Sequence, residues 1–168
     1  MSVIATLVIG SNGATALGGA SAALSTPADR QRFLALHRSA GVYITGRNSF
    51  SAESYAHSSA PVLILSRSCD EVVGARVIDS SNGLQNAMRK IVRTFSAPIV
   101  VEAGASLFME LLKSGCIEEC QISIVPVEGD SHFINLDEVL SYLEITDVQI
   151  VDGTHLLKCS YTGSSAYS

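Results

Sequence analysis

Val3-Ile-Ala-Thr-Leu-Val-Ile9, followed at once by Gly10-Ser-Asn-Gly13, sets the architecture. A near-continuous β-branched run closed by a turn is the pattern of a strand buried on both faces, as in a parallel sheet. The run is short and has no basic leader, so it reads as a first core strand rather than a signal peptide. The same pattern returns at 42–45 (VYIT), 62–66 (VLILS) and 99–102 (IVVE), with helical patterns between.

Those helices have readable ends. Thr26 is placed as an N-cap, Pro27 as the first helical residue and Asp29 at the positive end of the dipole. Phe33, Leu36, His37 and Ala40 share one face, and Gly41 ends the helix. Leu84, Ala87, Met88, Ile91, Val92 and Phe95 form one apolar stripe, which makes 84–95 the clearest helix. A further helix follows Gly104, with Leu107, Phe108, Leu111 and Leu112 on its core face, and Gly115 stops it. The pattern then changes. Residues 119–126 read as a strand, 136–142 as a short helix, and 144–151 and 155–162 as strands joined by a hairpin at Asp152-Gly153. The expectation is a single α/β domain over 1–168, with a mostly parallel mixed sheet flanked by helices and a C-terminal antiparallel hairpin. The Gly/Ser/Ala-rich stretch 10–26 is long for a plain connection and suggests a functional loop.

Composition narrows the function. Hydrophobic residues at 47% and charged residues at 16% argue for a folded globule, and a net charge of −5 with no basic track argues against a polynucleotide partner. No apolar run is long enough to span a bilayer, so no membrane role is expected. The four cysteines, Cys69, Cys116, Cys120 and Cys159, make no CxxC pair and have no His at zinc spacing. They read as free thiols of a reducing, cytoplasmic compartment, and no metal is expected. None of His37, His57, His132 and His155 has a Ser or Cys partner that can be placed, so a hydrolytic triad is not supported. Phe95, Phe108 and Phe133 read as core residues.

In parallel sheets ligands bind at the carboxyl ends of strands. Val101-Glu102-Ala103-Gly104-Ala105-Ser106-Leu107 places a carboxylate, a small-residue turn and a helix start there, where backbone N–H groups can hold a pyrophosphate. Alone, the segment reads equally as an ordinary turn with Glu102 exposed. Leu65-Ser66-Arg67-Ser68 offers hydroxyls and a guanidinium suited to a phosphate monoester such as the 2′-phosphate of NADPH, or else a solvated loop. Gly46-Arg47-Asn48-Ser49 would admit a cofactor at Gly46 and donate from Ser49. The first turn lacks G-x-G-x-x-G spacing, which argues against an ordinary Rossmann dehydrogenase.

Taken in order, these segments resemble the pyrimidine-reductase family. Gly10-Ser11-Asn12-Gly13, Gly18-Gly19 and Leu24-Ser25-Thr26-Pro27-Ala28-Asp29-Arg30 with Phe33 resemble its opening turn, glycine-rich loop and P-A-D-R helix start. Gly46, Ser49, Glu53 and Tyr55 resemble its G-x-x-T-x-x-x-E-x-Y segment. Val101-Glu102-Ala103-Gly104 with Leu107 resembles V-E-[GA]-G-x-x-L, and Leu111-Leu112, Gly115 and Ile117-Glu118-Glu119 resemble the L-L-x-x-G-L-V-D-E that follows. Pro126 falls at the proline of the I-x-P strand.

The resemblance implies a dihydrofolate-reductase-like fold and an NADPH-dependent reductase of riboflavin biosynthesis. It implies reduction of the ribosyl group of a phosphorylated ribosylamino-pyrimidine to ribityl. Cofactor contacts are then expected at Gly46, Ser49, Ser66, Arg67, Gly104, Ala105, Ser106 and Leu107. The substrate phosphate is expected at Arg30, or else that Arg is solvated in the first helical turn. A homodimer is implied; strand 155–162, read as an unpaired apolar edge, is expected to form part of its interface. The family's first-turn aspartate is Asn12 here, its preceding serine is Gly10, and Thr6 replaces a lysine or asparagine. Asn12 is therefore expected to orient substrate and Glu102 to handle the proton. Two other readings stay open: a dihydrofolate reductase, disfavoured because the first helix offers only Asp29 at an exposed turn, and a non-catalytic NADPH-binding paralogue.

Overall fold

The computed structural model describes residues 2–52, 55 and 58–168. Its strands are β1 (Val3–Ile9), β2 (Ala14–Ala16), β3 (Val42–Gly46), β4 (Val62–Ser66), β5 (Arg76–Asp79), β6 (Ile99–Glu102), β7 (Glu119–Ile124), β8 (Ser131–Phe133), β9 (Leu143–Val151) and β10 (Thr154–Tyr161). Its helices are α1 (Pro27–Ser39), α2 (Arg47–Ala52), α3 (Leu84–Thr94), α4 (Ala105–Lys113) and α5 (Leu136–Leu140), with a 3-10 turn at Ser21–Ala23. The main sheet runs β5-β4-β3-β6-β1-β7-β10-β9. Neighbours from β5 to β7 are parallel, and β10 lies antiparallel to both β7 and β9.

Alternation along the strands builds two cores. Val3, Ala5, Leu7 and Ile9 point to the face covered by Met88 and Ile91 of α3 and by Phe108, Leu111 and Leu112 of α4. Tyr43 and Val100 point to the other face, where Leu36 of α1 packs and Ile4 and Phe33 support them. A parallel strand buried on both faces has no wet side, which is why these strands carry apolar residues in succession. α1 begins as its sequence indicates: the Thr26 hydroxyl accepts from the Asp29 N–H, and Pro27 occupies the first turn. The hairpin turn also forms at Asp152 (φ 49°) and Gly153 (φ 79°), the paired positive angles of a type I′ turn.

Several details depart from the sequence reading. The stretch 10–26 contains β2 and the 3-10 turn, and β2 pairs antiparallel with β8. The short parallel strand β5, from a segment with no apolar run, extends the sheet beyond β4. α2 starts at Arg47, so the residues read as a turn after Gly46 are its first helical turn. Phe133, read as core, is 61% exposed on β8, while Phe108 is buried. The strand 155–162, expected at an open edge, is interior: β10 has neighbours on both sides, and the edge is β9. The cysteines are free thiols, with Cys69 exposed and the others buried. Burial pushes the Cys120 and Cys116 thiols up, making them inert. No helix among the described residues is long and apolar enough to cross a membrane.

Candidate active site

The carboxyl ends of β1, β3, β4 and β6 open on one cleft of about 440 Å³, within the range of roughly 300–1,000 Å³ typical of small-molecule sites. Thr6, Leu7 and Val8 of β1 form its floor, and Arg30 and Phe33 of α1 form one wall. Gly104, Ala105, Ser106 and Leu107 at the start of α4 form another. Nearly every expected binding residue is brought here: Gly46, Ser49, Ser66, Arg67, Glu102, the four at 104–107, and Arg30.

The α4 start suits an anion. Its N-cap is Gly104, and no side chain caps the first-turn N–H groups. Close packing shapes the approach: a Cβ on Gly46 would lie 3.3 Å from Leu107 Cδ2, and one on Gly104 would lie 3.4 Å from Ser49 Oγ. Arg67 donates to Glu110 Oε2 at 2.9 Å, with both side chains well exposed (76% and 44%). Such a pair is worth about 0–1 kcal/mol, so it restrains the guanidinium little.

The cleft also gathers residues outside the sequence expectation. Arg47 lines it beside Ser66, donating to Ser66 Oγ from Nε at 3.4 Å and from Nη2 at 3.3 Å. Its Nη2 also donates to the carbonyls of Ser68 (3.1 Å) and Asp70 (3.0 Å). Sequence reading placed Arg47 in a turn; the structure makes it the first residue of α2, at the carboxyl end of β3. Asp29, expected at an exposed turn, lines the cleft half-buried and accepts a short hydrogen bond from the Ser25 hydroxyl. His132 of β8 also lines the cleft, a contact that depends on the unforeseen β2–β8 pairing.

Asn12 stands apart. Its Nδ2 donates to the Gly129 carbonyl (2.9 Å), and its Oδ1 accepts from the N–H groups of Gly129 (3.1 Å) and Ala14 (3.3 Å). The amide is spent tying the first turn to the 127–129 loop, and Asn12 is not among the cleft-lining residues. Asn12 thus staples the first turn to this loop. Glu102 is placed as expected, at the cleft, with its Oε2 3.2 Å from the Tyr55 hydroxyl. The glutamate Glu53 of the E-x-Y segment, and His57, lie outside the described residues.

His37 meets a serine after all: its Nε2 lies 3.2 Å from Ser58 Oγ. That hydroxyl donates to the Ala60 carbonyl, and neither residue lines the cleft, so no nucleophile is made. The His37 ring instead stacks on Phe33 and meets Tyr43 edge-on. Burial first, and then the Arg30 charge, hold its pKa below the usual imidazole value. Burial, with Glu102 and Tyr55 adding to it, keeps the Tyr43 phenol protonated throughout the ordinary pH range.

Comparison with known proteins agrees with this geometry. A search of curated proteins returns no match. Among solved structures, the chain is similar to a protein provisionally assigned to riboflavin biosynthesis from Shewanella sp. PV-4 (19% identity, TM-score 0.74, 97% of this chain and 100% of that one). It is also similar to a pyrimidine reductase-like protein from Corynebacterium diphtheriae (16% identity, TM-score 0.74, 97% and 92%). The dihydrofolate reductase of Enterococcus faecalis, solved with NADP(H), matches at 15% identity and TM-score 0.71 over 96% and 97%. At these identities the likenesses establish a dihydrofolate-reductase-like fold. The model of the RibD C-terminal domain matches residues 3–128, three quarters of the chain and all of its parallel strands, and on that match the chain belongs to the RibD C-terminal domain family.

Proposed function

We propose that the chain is an NADPH-dependent reductase of riboflavin biosynthesis that reduces the ribosyl group of a 5-amino-6-(5-phosphoribosylamino)uracil to ribityl. The observation that carries this reading is convergence: four parallel strand ends and the uncapped start of α4 open on one cleft, in a chain of the RibD C-terminal domain family. The residues present fit NADPH. The 104–107 turn offers uncapped N–H groups for a pyrophosphate, and Ser66 with Arg67 and Arg47 offers hydroxyl and guanidinium groups for a 2′-phosphate. When bound, the cofactor supplies the hydride. The chain supplies orientation and a proton. Arg30, at the α1 end of the cleft, suits the substrate phosphate, although its guanidinium now lies over the Phe33 ring at 5.4 Å. Glu102 is the carboxylate at the sheet end of the cleft, and we assign it the proton that accompanies the hydride.

Steady-state NADPH oxidation with the ribosylaminopyrimidine phosphate tests the reading. Turnover with NADPH preferred over NADH is expected. Arg67→Ala should lose about 1.5–3 kcal/mol of that preference, roughly 10- to 150-fold. Equal affinity for both cofactors refutes the phosphate assignment. Tight NADPH binding without turnover instead favours a non-catalytic paralogue, a reading supported by the stapled Asn12 and by Thr6 at the cleft floor.

We also propose a homodimer, now through β9. After a register shift near Lys158, Ile145, Val148 and Ile150 pair with Cys159, Leu157 and His155. They therefore continue the apolar row of Cys159 and Leu157 past the covering helices, and they are 44%, 51% and 64% exposed. An apolar edge of this kind favours strand pairing with another chain.

A further inference from the structure

Glu102 ends β6 and is flanked in register by Thr6 of β1 and Thr45 of β3. The three make a polar row two residues beyond the apolar row Ile4, Val100 and Tyr43 that lies under α1. Thr45 is wholly buried, and Glu102 is half-buried at the cleft. Tyr55, from the segment after α2, comes over this row. Its hydroxyl is 3.2 Å from Glu102 Oε2 and 3.3 Å from Thr45 Oγ1. One phenolic proton serves one acceptor at a time, and the charged oxygen is the stronger acceptor, so donation goes to Glu102. Thr45 is then the second contact that braces the phenol.

The ring is held as firmly as its hydroxyl. Phe50 stacks on it at 5.4 Å with planes 7° apart, and Tyr43 packs against it at 6.1 Å. Tyr55 is not among the cleft-lining residues, whereas Glu102 is. Any effect of the phenol on chemistry is therefore exerted through the carboxylate.

We infer that Tyr55 is a positioning residue for the reaction: clamped by Phe50 and Tyr43 and braced by Thr45, its hydroxyl fixes the Glu102 carboxylate at the end of β6. The inference rests on the reductase reading for its kinetic meaning, while the contact itself can be tested without turnover. A carboxylate at a strand end has several rotamers open to it, and a proton-handling group misplaced by about 1 Å loses rate steeply. A fixed donor selects one of those positions.

Tyr55→Phe keeps the stacked ring and removes only the oxygen. The Glu102 side-chain carboxyl is followed by ¹³C NMR in the full chain, its resonance assigned by loss in Glu102→Gln. Among the described residues, Tyr43 of β3, Asp29 and Arg30 of α1, Arg47 of α2, Arg67 after β4, Glu110 of α4 and His132 of β8 are the other titratable or charged groups about the carboxylate and cleft, and all are the same in both proteins. The midpoint should move to higher pH in Tyr55→Phe, because the lost donor favoured the charged form. In steady-state assays kcat should fall about tenfold with KM changed less than about twofold, and Tyr55→Phe should add nothing in a Glu102→Gln background. An unmoved carboxyl midpoint, or a loss of kcat equally large in the Glu102→Gln background, overturns the inference. Absence of turnover in the unsubstituted protein refutes the reductase reading alone, and the NMR midpoint then decides the contact.

Discussion

Replacing Gly10 by serine, the residue found in the pattern this turn resembles, should destabilise the protein through one loop. A Cβ on Gly10 would lie 2.6 Å from the Val127 carbonyl oxygen and 3.2 Å from the Gly129 nitrogen. Relieving the closer contact requires a shift of about 0.7 Å, since non-bonded atoms settle near 3.5 Å or slightly less. The loop is not free to give. Ser11 N–H donates to Val127 O at 2.9 Å, and the Asn12 amide grips Gly129 on both its N–H and its carbonyl. Overpacking costs about 2 kcal/mol and one broken hydrogen bond adds about 1, giving ~3 kcal/mol. For a chain of this size that corresponds to a fall in Tm of about 6–12 °C, read by circular dichroism. Asn12→Ala frees the loop, so the double variant should lose less than the sum of the two single ones. A Gly10→Ser protein melting within about 2 °C of the parent would show that the 127–129 loop yields, and the argument for a coupled Gly10–Asn12 pair would fail.

Three further outcomes follow from the same structure. The Tyr43 hydroxyl is buried with no hydrogen-bond partner among the described residues, so Tyr43→Phe should leave Tm unchanged or raise it, since an unmet buried hydroxyl costs about 1–3 kcal/mol; a clear fall in Tm would reveal a partner. Val148→Lys with Ile150→Lys should convert a dimer to a monomer by light scattering without loss of protomer stability beyond about 1 kcal/mol, because both side chains are exposed in the protomer; a parent protein already monomeric at all concentrations would refute the β9 interface. His37 has a folded pKa below its unfolded value, so the unfolded chain binds more protons as pH falls through the unfolded pKa of about 6.5. Its contribution is complete above that pH and is lost as pH falls towards the folded value; urea midpoints against pH should be flatter in that window for His37→Phe, and an unchanged slope would contradict the assignment.

How much of this was legible in the sequence depends on the range of the forces involved. The departures at Gly10 and Asn12 are visible as letters, yet their coupling is not, because it runs through residues 127–129, more than a hundred positions away. The cleft-lining segments 46–49, 65–67 and 102–107 could be named because each lies at the end of a buried parallel strand, where topology alone sends ligands. Arg47 was missed because the start of α2 within that segment was read as a turn. Asp29 was misplaced because a first-turn carboxylate is explained well enough by the helix dipole, and only the docking of α1 turns it towards the cleft.

What the sequence determined by itself was local. The stripe of α3, the Thr26–Pro27 start of α1 and the Asp152-Gly153 turn each depend on contacts or angles within a few residues, and each formed as written. The succession of apolar strands also required a sheet covered on both faces. Tertiary structure alone decided the pairing of β2 with β8, the place of β5 at one edge and β9 at the other, and the meeting of Tyr55 with Glu102. Short polar strands bury too little surface to leave a pattern. An edge strand differs from its inner neighbour only by what lies beside it, and a hydroxyl finds a carboxylate 47 positions away only after the sheet has brought their strands together.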